Sequence, residues 1–464
     1  MMKKNSVMCL ALSLWGIGSV YAESSQRPNI VLINIDDLGW TDLSGNGSDY
    51  YETPCIDRLK NKGIWFARAY AGGANSAPSR ACMLTGKNTP RHGMYTVNGS
   101  DRGDRKRRKL VSVRNRIELP DSIRLLPRIL KDMGYQTFHV GKWHVTGDPC
   151  KAGMDINIGG GRMGNPATYF SPYRNRYLTD GEKGEFLTDR LGDEAVRLIE
   201  QADGKKPYFL YYAPYAVHTP LEAPEEIVEK YRKKKPTEAH RNPVYAALIE
   251  VMDRNVGKVL KAIEESGTAG NTIVVFTSDN GGVYDISKQW PLRAGKGAFY
   301  EGGIRVPLIV YQPGKMEHRR IEDVVVSQLD LFPTVADWIG YSDPLVLDGK
   351  SLLPLLEEKK EGYLKERALF WHFPAYLEGG NVETVDLFFR TRPVSVVLKG
   401  DWKLIENYED GRLELYNLKR DVGERNELSA AFPEKMKELK GLLDQWKKEV
   451  NAPCCFQRNE FYVE

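Results

Sequence analysis

The chain has 464 residues and a formal net charge of +4, which falls to about +2 when Lys3 and Lys4 leave with the secretory signal read at residues 1–22. So slight an excess is no nucleic-acid signature, and the apolar stretch at residues 7–20 is too short and interrupted to span a membrane. Export leaves Cys55, Cys82, Cys150, Cys454 and Cys455, an odd and scattered set without zinc-type spacing or a disulfide framework.

A soluble exported protein is therefore expected, periplasmic or secreted, long enough for a large core and two domains. Residues 29–35 form a continuous apolar run of strand length, suited to a strand covered on both faces of an α/β sheet. The run stops at Asp36-Asp37, outside the carboxyl end of a strand, where such sheets gather ligands. The pair either starts a turn or shares a cation that offsets the repulsion of adjacent carboxylates. Next comes Asn75-Ser76-Ala77-Pro78-Ser79-Arg80-Ala81-Cys82-Met83-Leu84-Thr85-Gly86, with a helix expected to begin near Pro78. Ser76 then reads as a helix cap or as a nucleophile-like oxygen, with Arg80 returning toward it along one face. The basic run at residues 102–109 reads as a solvated loop or as a rim that attracts sulfated glycans.

A helix is expected over residues 125–133 and a strand over residues 135–140, ending in Gly141-Lys142-Trp143-His144. Residues 208–212 form another strand, followed by His218 in a Thr-Pro context, and residues 242–265 carry a long amphipathic helical stripe. A second buried-type strand at residues 271–278 ends in Asp279-Asn280. Two strand ends would then supply four hard oxygen ligands, a set that favours Ca²⁺ or Mg²⁺ over Zn²⁺, the carboxamide leaning toward Ca²⁺. Lys296 lies between two glycines ahead of Glu301-Gly302-Gly303-Ile304-Arg305-Val306-Pro307, and a core helix is expected over residues 327–339. Beyond a charged linker at residues 359–362, short strands at 368–373, 394–398, 402–405 and 413–416 precede one helical stripe from Met436 to Val450. The fold class expected is α/β, with a large, mostly parallel sheet in a catalytic domain at residues 23–360. A small α+β subdomain with an antiparallel sheet at residues 361–464 walls the pocket.

The stretch from Ser76 to Gly86 resembles the maturation signature of the type I sulfatases, in its serine form. Asp36-Asp37, the Gly-Lys-Trp-His element, His218, Asp279-Asn280 and Lys296 follow in that family's order. The resemblance implies an alkaline phosphatase-like fold and a bacterial carbohydrate sulfatase. It implies one Ca²⁺ bound by Asp36, Asp37, Asp279, Asn280 and residue 76, and oxidation of Ser76 to formylglycine by a serine-type maturating enzyme. The aldehyde hydrate would attack sulfur, while Arg80, Lys142 and Lys296 neutralise the sulfate. His218, with Lys296, would protonate the leaving alkoxide, and His144 would help release sulfate. A sulfated glycosaminoglycan, mucin or algal glycan is the expected substrate. His92, Trp290, Arg293 and His372 are candidate pocket residues. The alternatives are a phosphatase or phosphonate monoester hydrolase of the same superfamily, or an inactive glycan-binding relative.

Overall fold

The computed structural model describes residues 27–202, 204–359, 362–384, 386–454 and 457–464; the expected secretory signal at residues 1–22 and Cys455 lie outside them. Its centre is an eight-stranded sheet. Across it the strands run Arg319–Ile321, Ile64–Phe66, Leu308–Tyr311, Thr272–Ser278, Asn29–Ile35, Tyr208–Ala213, Gln136–Gly141 and Ile156–Ile158. The last five are mutually parallel, and only Leu308–Tyr311 opposes its neighbours. The mostly parallel sheet expected from the apolar runs is therefore observed.

Why those runs lack polar alternation is visible in the packing. Val31, Ile33 and Ile35 point into one core with the helices Leu187–Glu200 and Pro243–Glu265. Ile30 and Leu32 point into another with the helices Ser76–Thr85, Leu126–Asp132 and Leu331–Trp338. Both faces are covered, so both sets of side chains are apolar. Asn242 caps the long helix by accepting from Val244 N and Tyr245 N.

A four-stranded antiparallel sheet follows, ordered Ala368–Phe373, Val394–Lys399, Trp402–Asn407, Leu413–Asn417. Leu439, Leu443 and Trp446 of the helix Pro433–Glu449 cover one face. The opposite face packs on Tyr70, Ala298, Phe299 and Ile304 from the large unit. The small sheet is thus braced directly against the segment that carries Lys296. Cys55, Cys82, Cys150 and Cys454 are free thiols.

Candidate active site

Four adjacent parallel strands end at the same edge of the sheet, and each delivers polar groups there. Asn29–Ile35 runs into Asp36 and Asp37, Thr272–Ser278 into Asp279 and Asn280, and Gln136–Gly141 into Lys142, while Tyr208–Ala213 leads to His218. Gly141 makes the close approach possible: at φ +105°, a Cβ there would stand 2.1 Å from the Ala213 carbonyl oxygen. Asp37 and His144 adopt positive φ of 61° and 62°, strained conformations for residues with side chains.

The helix holding Ser76 spans Ser76–Thr85 and is buried along its whole length. It starts two residues before Pro78, so Ser76 lies in the first turn rather than at the cap. Asn75 is the cap residue, but its side chain donates to Thr96 Oγ1 and leaves the helix start uncapped. Gly86, at φ +65°, closes the other end by donating to the Cys82 carbonyl. Arg80 does not fold back onto the serine. Its Nε donates to Asp279 Oδ2 at 2.8 Å, and its Nη2 stands 3.7 Å from Asp36 Oδ1.

Asp36, Asp37 and Asp279 bring carboxylate oxygens within 4.8 Å of one another, all buried. Ser76 Oγ donates to Asp36 Oδ1 at 3.2 Å and to Asn280 Oδ1 at 3.4 Å. Lys142 Nζ reaches both Asp36 oxygens at 2.7 Å and Ser76 Oγ at 3.0 Å. Lys296 Nζ lies 2.6 Å from Asp37 Oδ2, and His218 Nε2 approaches the same oxygen at 3.4 Å. Asp36, Asp37, Ser76, Arg80, Lys142, His218, Asp279, Asn280 and Lys296 therefore meet in one place.

The electrostatics differ around the cluster. Burial pushes the Asp36 carboxyl up to about 7, with Lys142 opposing and Asp279 and Asp37 adding to the rise. Burial also raises Asp37, but Lys296, His218 and Lys142 outweigh it and hold that carboxyl below its usual range. Burial lowers His218 to about 4 despite Asp37, and its Nδ1 is tied to the Thr219 carbonyl at 2.8 Å. Burial and the neighbouring Lys142 and Arg80 hold His144 well below the usual imidazole value, and its Nδ1 has no partner. Both imidazoles are neutral near pH 7.

The donor set of this cluster is oxygen throughout, without a histidine or a thiolate among the clustered ligands. Buried carboxylates this close fit a hard divalent cation, and Arg80 Nη2, 3.7 Å from Asp36 Oδ1, makes no hydrogen bond of its own.

The pocket candidates fare differently. His92 is buried between Cys82 Sγ and Met94 N, and His372 is fixed by Ser395 Oγ and the Pro453 carbonyl. Arg293 donates to the Glu383 and Glu424 carbonyls and to Tyr416 Oη. Trp290 lies under the Lys288 ammonium. The polar atoms of His92, Arg293 and His372 are spent on scaffold partners, close in sequence for His92 and distant for Arg293 and His372. Missed altogether was the support under Arg80. Tyr211 Oη accepts from Asn34 Nδ2 at 2.9 Å and from Arg80 Nη1 at 3.3 Å. Asn34, a polar residue inside an apolar strand run, was the available signal.

The strand order, with this cluster at the carboxyl ends, is a mixed α/β architecture of the alkaline phosphatase-like kind. Residues 28–341 match the family described as Sulfatase, and residues 294–451 match the one described as N-sulphoglucosamine sulphohydrolase, C-terminal. A sulfatase of Formosa agariphila is 32% identical, over 93% of this chain and 90% of its own. The N-acetylgalactosamine-6-sulfatase of Mus musculus is 31% identical, over 78% of this chain and 72% of its own. The crystal structure of Ps i-CgsB in complex with k-i-k-neocarrahexaose is similar at a TM-score of 0.75 and 28% identity, covering 95% of each chain. The chain belongs to the sulfatase family and is a sulfuric ester hydrolase.

Proposed function

We propose that the enzyme removes sulfate from a sulfated carbohydrate, with Ca²⁺ held by Asp36, Asp37, Asp279 and Asn280 and with Ser76 matured to formylglycine. The single observation that carries this reading is the position of Ser76, whose oxygen touches Asp36, Asn280 and Lys142 inside one buried oxygen cluster. Relatives named for N-acetylgalactosamine-6-sulfate and a neighbour bound to a carrageenan oligosaccharide support a sugar substrate.

The cation would supply Lewis-acid neutralisation of the sulfate oxygens. The oxidised residue 76 would supply, as its hydrate, the nucleophilic oxygen that serine lacks in activated form. The chain does the rest. Lys142 holds the residue 76 oxygen by hydrogen bond and fixes its direction. Arg80 and Lys296 set positive charge where the sulfate oxygens gain negative charge during reaction. The Lys296 ammonium, 14% exposed, is the proton carrier for the departing alkoxide, with His218 beside the same Asp37 oxygen. Neutral His144, with a buried and partnerless Nδ1, suits a base that withdraws a proton rather than an acid. An oxygen-only donor set stands against a paired-zinc phosphatase. Export to the periplasm by the signal at residues 1–22, and a serine-type maturating partner, belong to the same proposal.

The test is sulfate release from defined monosulfated sugars by matured protein, with mass spectrometry on the peptide containing residue 76. Release that scales with the oxidised fraction is expected. Full turnover by a preparation carrying only intact serine would end the formylglycine assignment.

A further inference from the structure

A surface trough of about 1450 Å³ runs between the segments at residues 118–128, 146–152 and 162–177. That exceeds the about 300–1,000 Å³ typical of a pocket enclosing one small molecule. Beside it lies a cavity of about 40 Å³ lined by Ala77, the neighbour of Ser76, and by His144. Glu118, Thr146 and Arg162 line both spaces, so they adjoin. The half-exposed ion pair of Arg162 with Glu118, at 2.9 Å, stands at the junction.

The neck is built rather than incidental. His144 N donates to the Gly161 carbonyl, and a Cβ on Gly164 would lie 2.6 Å from His144 Cε1. The 161–164 segment therefore rests on the imidazole. Across the trough, Tyr177 Oη donates to the Gly147 carbonyl at 3.0 Å. Charge along the trough is unevenly spent. Arg124 pairs with Asp132, and Asp148 accepts from Cys150 N. Arg128, Lys151 and Arg176 pair with no carboxylate among the described residues; Arg128 donates to the Lys151 carbonyl, and Arg176 lies over the Tyr177 ring. At the reaction centre, by contrast, three cations already face three carboxylates. The unspent cations are available to negative charge elsewhere on a substrate.

We propose that this trough seats the sugars flanking the sulfated one, with Arg128, Lys151 and Arg176 receiving their anionic substituents. The preferred substrate is then a sulfated oligosaccharide chain. This rests on the sulfatase reading of residue 76 and deepens it.

Titration calorimetry on the unmodified Ser76 protein with Ca²⁺ tests binding without turnover. The probes are di-, tetra- and hexasaccharides of chondroitin 6-sulfate and of κ-carrageenan. In at least one series, Kd should fall ten-fold or more from di- to hexasaccharide, about 1.4 kcal/mol. The double variant Lys151→Ala, Arg176→Ala should erase most of that gain. A flat or absent response in both series, or a gain that survives the double variant, overturns the trough. Sulfate release from the disaccharides by matured enzyme is a separate readout. Turnover with a flat length profile leaves the sulfatase and removes the trough; a length-dependent gain without any turnover does the reverse.

Discussion

Lys296 and Glu301 stand five residues apart in sequence, yet each belongs to a different buried charge cluster. Around Lys296, three carboxylates face Arg80, Lys142 and Lys296, and the edge is open: the Lys296 and His218 side chains are 14% and 16% exposed. Around Glu301, Lys403 Nζ lies 3.2 Å from Glu301 Oε1 and 2.8 Å from Glu424 Oε1, all three side chains at 0% exposure. Tyr70 Oη donates to Glu301, and Glu301 N donates to Glu424. The closed cluster ties the Lys296 segment to the small sheet; its three central side chains meet no solvent, while Arg305, 3.4 Å from Glu301 Oε2, is 13% exposed. The open one keeps two buried nitrogens without a hydrogen-bond partner, Arg80 Nη2 and His144 Nδ1. Similar groups thus serve attachment where water is shut out and chemistry where a substrate can enter.

The sharpest way to break this contrast is Ser76→Ala. It should reduce kcat/KM for a sulfated sugar by about 10³-fold or more, while unfolding free energy changes by only about 1 kcal/mol, the worth of a lost hydrogen bond. Lys403→Met should do the opposite. It strands two buried carboxylates at a cost of about 3–5 kcal/mol, read by urea unfolding, with kcat per folded molecule unchanged. A loss of kcat matching the Ser76 variant would show that the closed cluster reaches the chemistry. Chelation is intermediate. Removing a cation held at 100 times its Kd should cost about 2.7 kcal/mol, lowering Tm and abolishing activity, both restored by Ca²⁺. Unchanged Tm and activity after exhaustive EGTA treatment would remove the metal assignment.

The open cluster was far more legible in sequence than the closed one. Asp36-Asp37 and Asp279-Asn280 follow long apolar runs, so their strands, their ends and their shared edge could be read locally. Strand Ile64–Phe66 is only three residues long and Leu308–Tyr311 only four, too short for periodicity to declare them. The helix Leu187–Glu200 had a stripe of Leu187, Leu191, Ala195 and Leu198 that went unassigned. Lys403 and Glu424 look like ordinary surface charges in a strand and a turn. The antiparallel register sets Lys403 opposite Tyr416, and Lys403 and Glu424 both end fully buried. A local pattern reveals groups that gather at element ends, and it hides those that meet through tertiary packing.

The pH dependence of stability offers the finest test, because Glu424 and Asp37 should bend it in opposite directions, while Asp36, raised to about 7, bends it as Glu424 does. Burial raises the Glu424 carboxyl from 4.5 to about 7, Lys403 opposing and Glu301 adding to the rise. The folded chain then holds that proton more tightly than the unfolded chain. The stabilisation is complete below pH 4.5 and is lost as pH rises through about 7. Wild type should therefore lose on the order of 1–2 kcal/mol relative to Glu424→Gln between about pH 5 and pH 8, measured as parallel urea unfolding series. For Asp37 the sign reverses: its carboxyl is held below the usual 3.8, so its contribution is present above that value and fades in acid. A Glu424→Gln variant that keeps the wild-type slope above pH 5 would show that the closed cluster is hydrated after all, and the distinction between the two regions would fall with it.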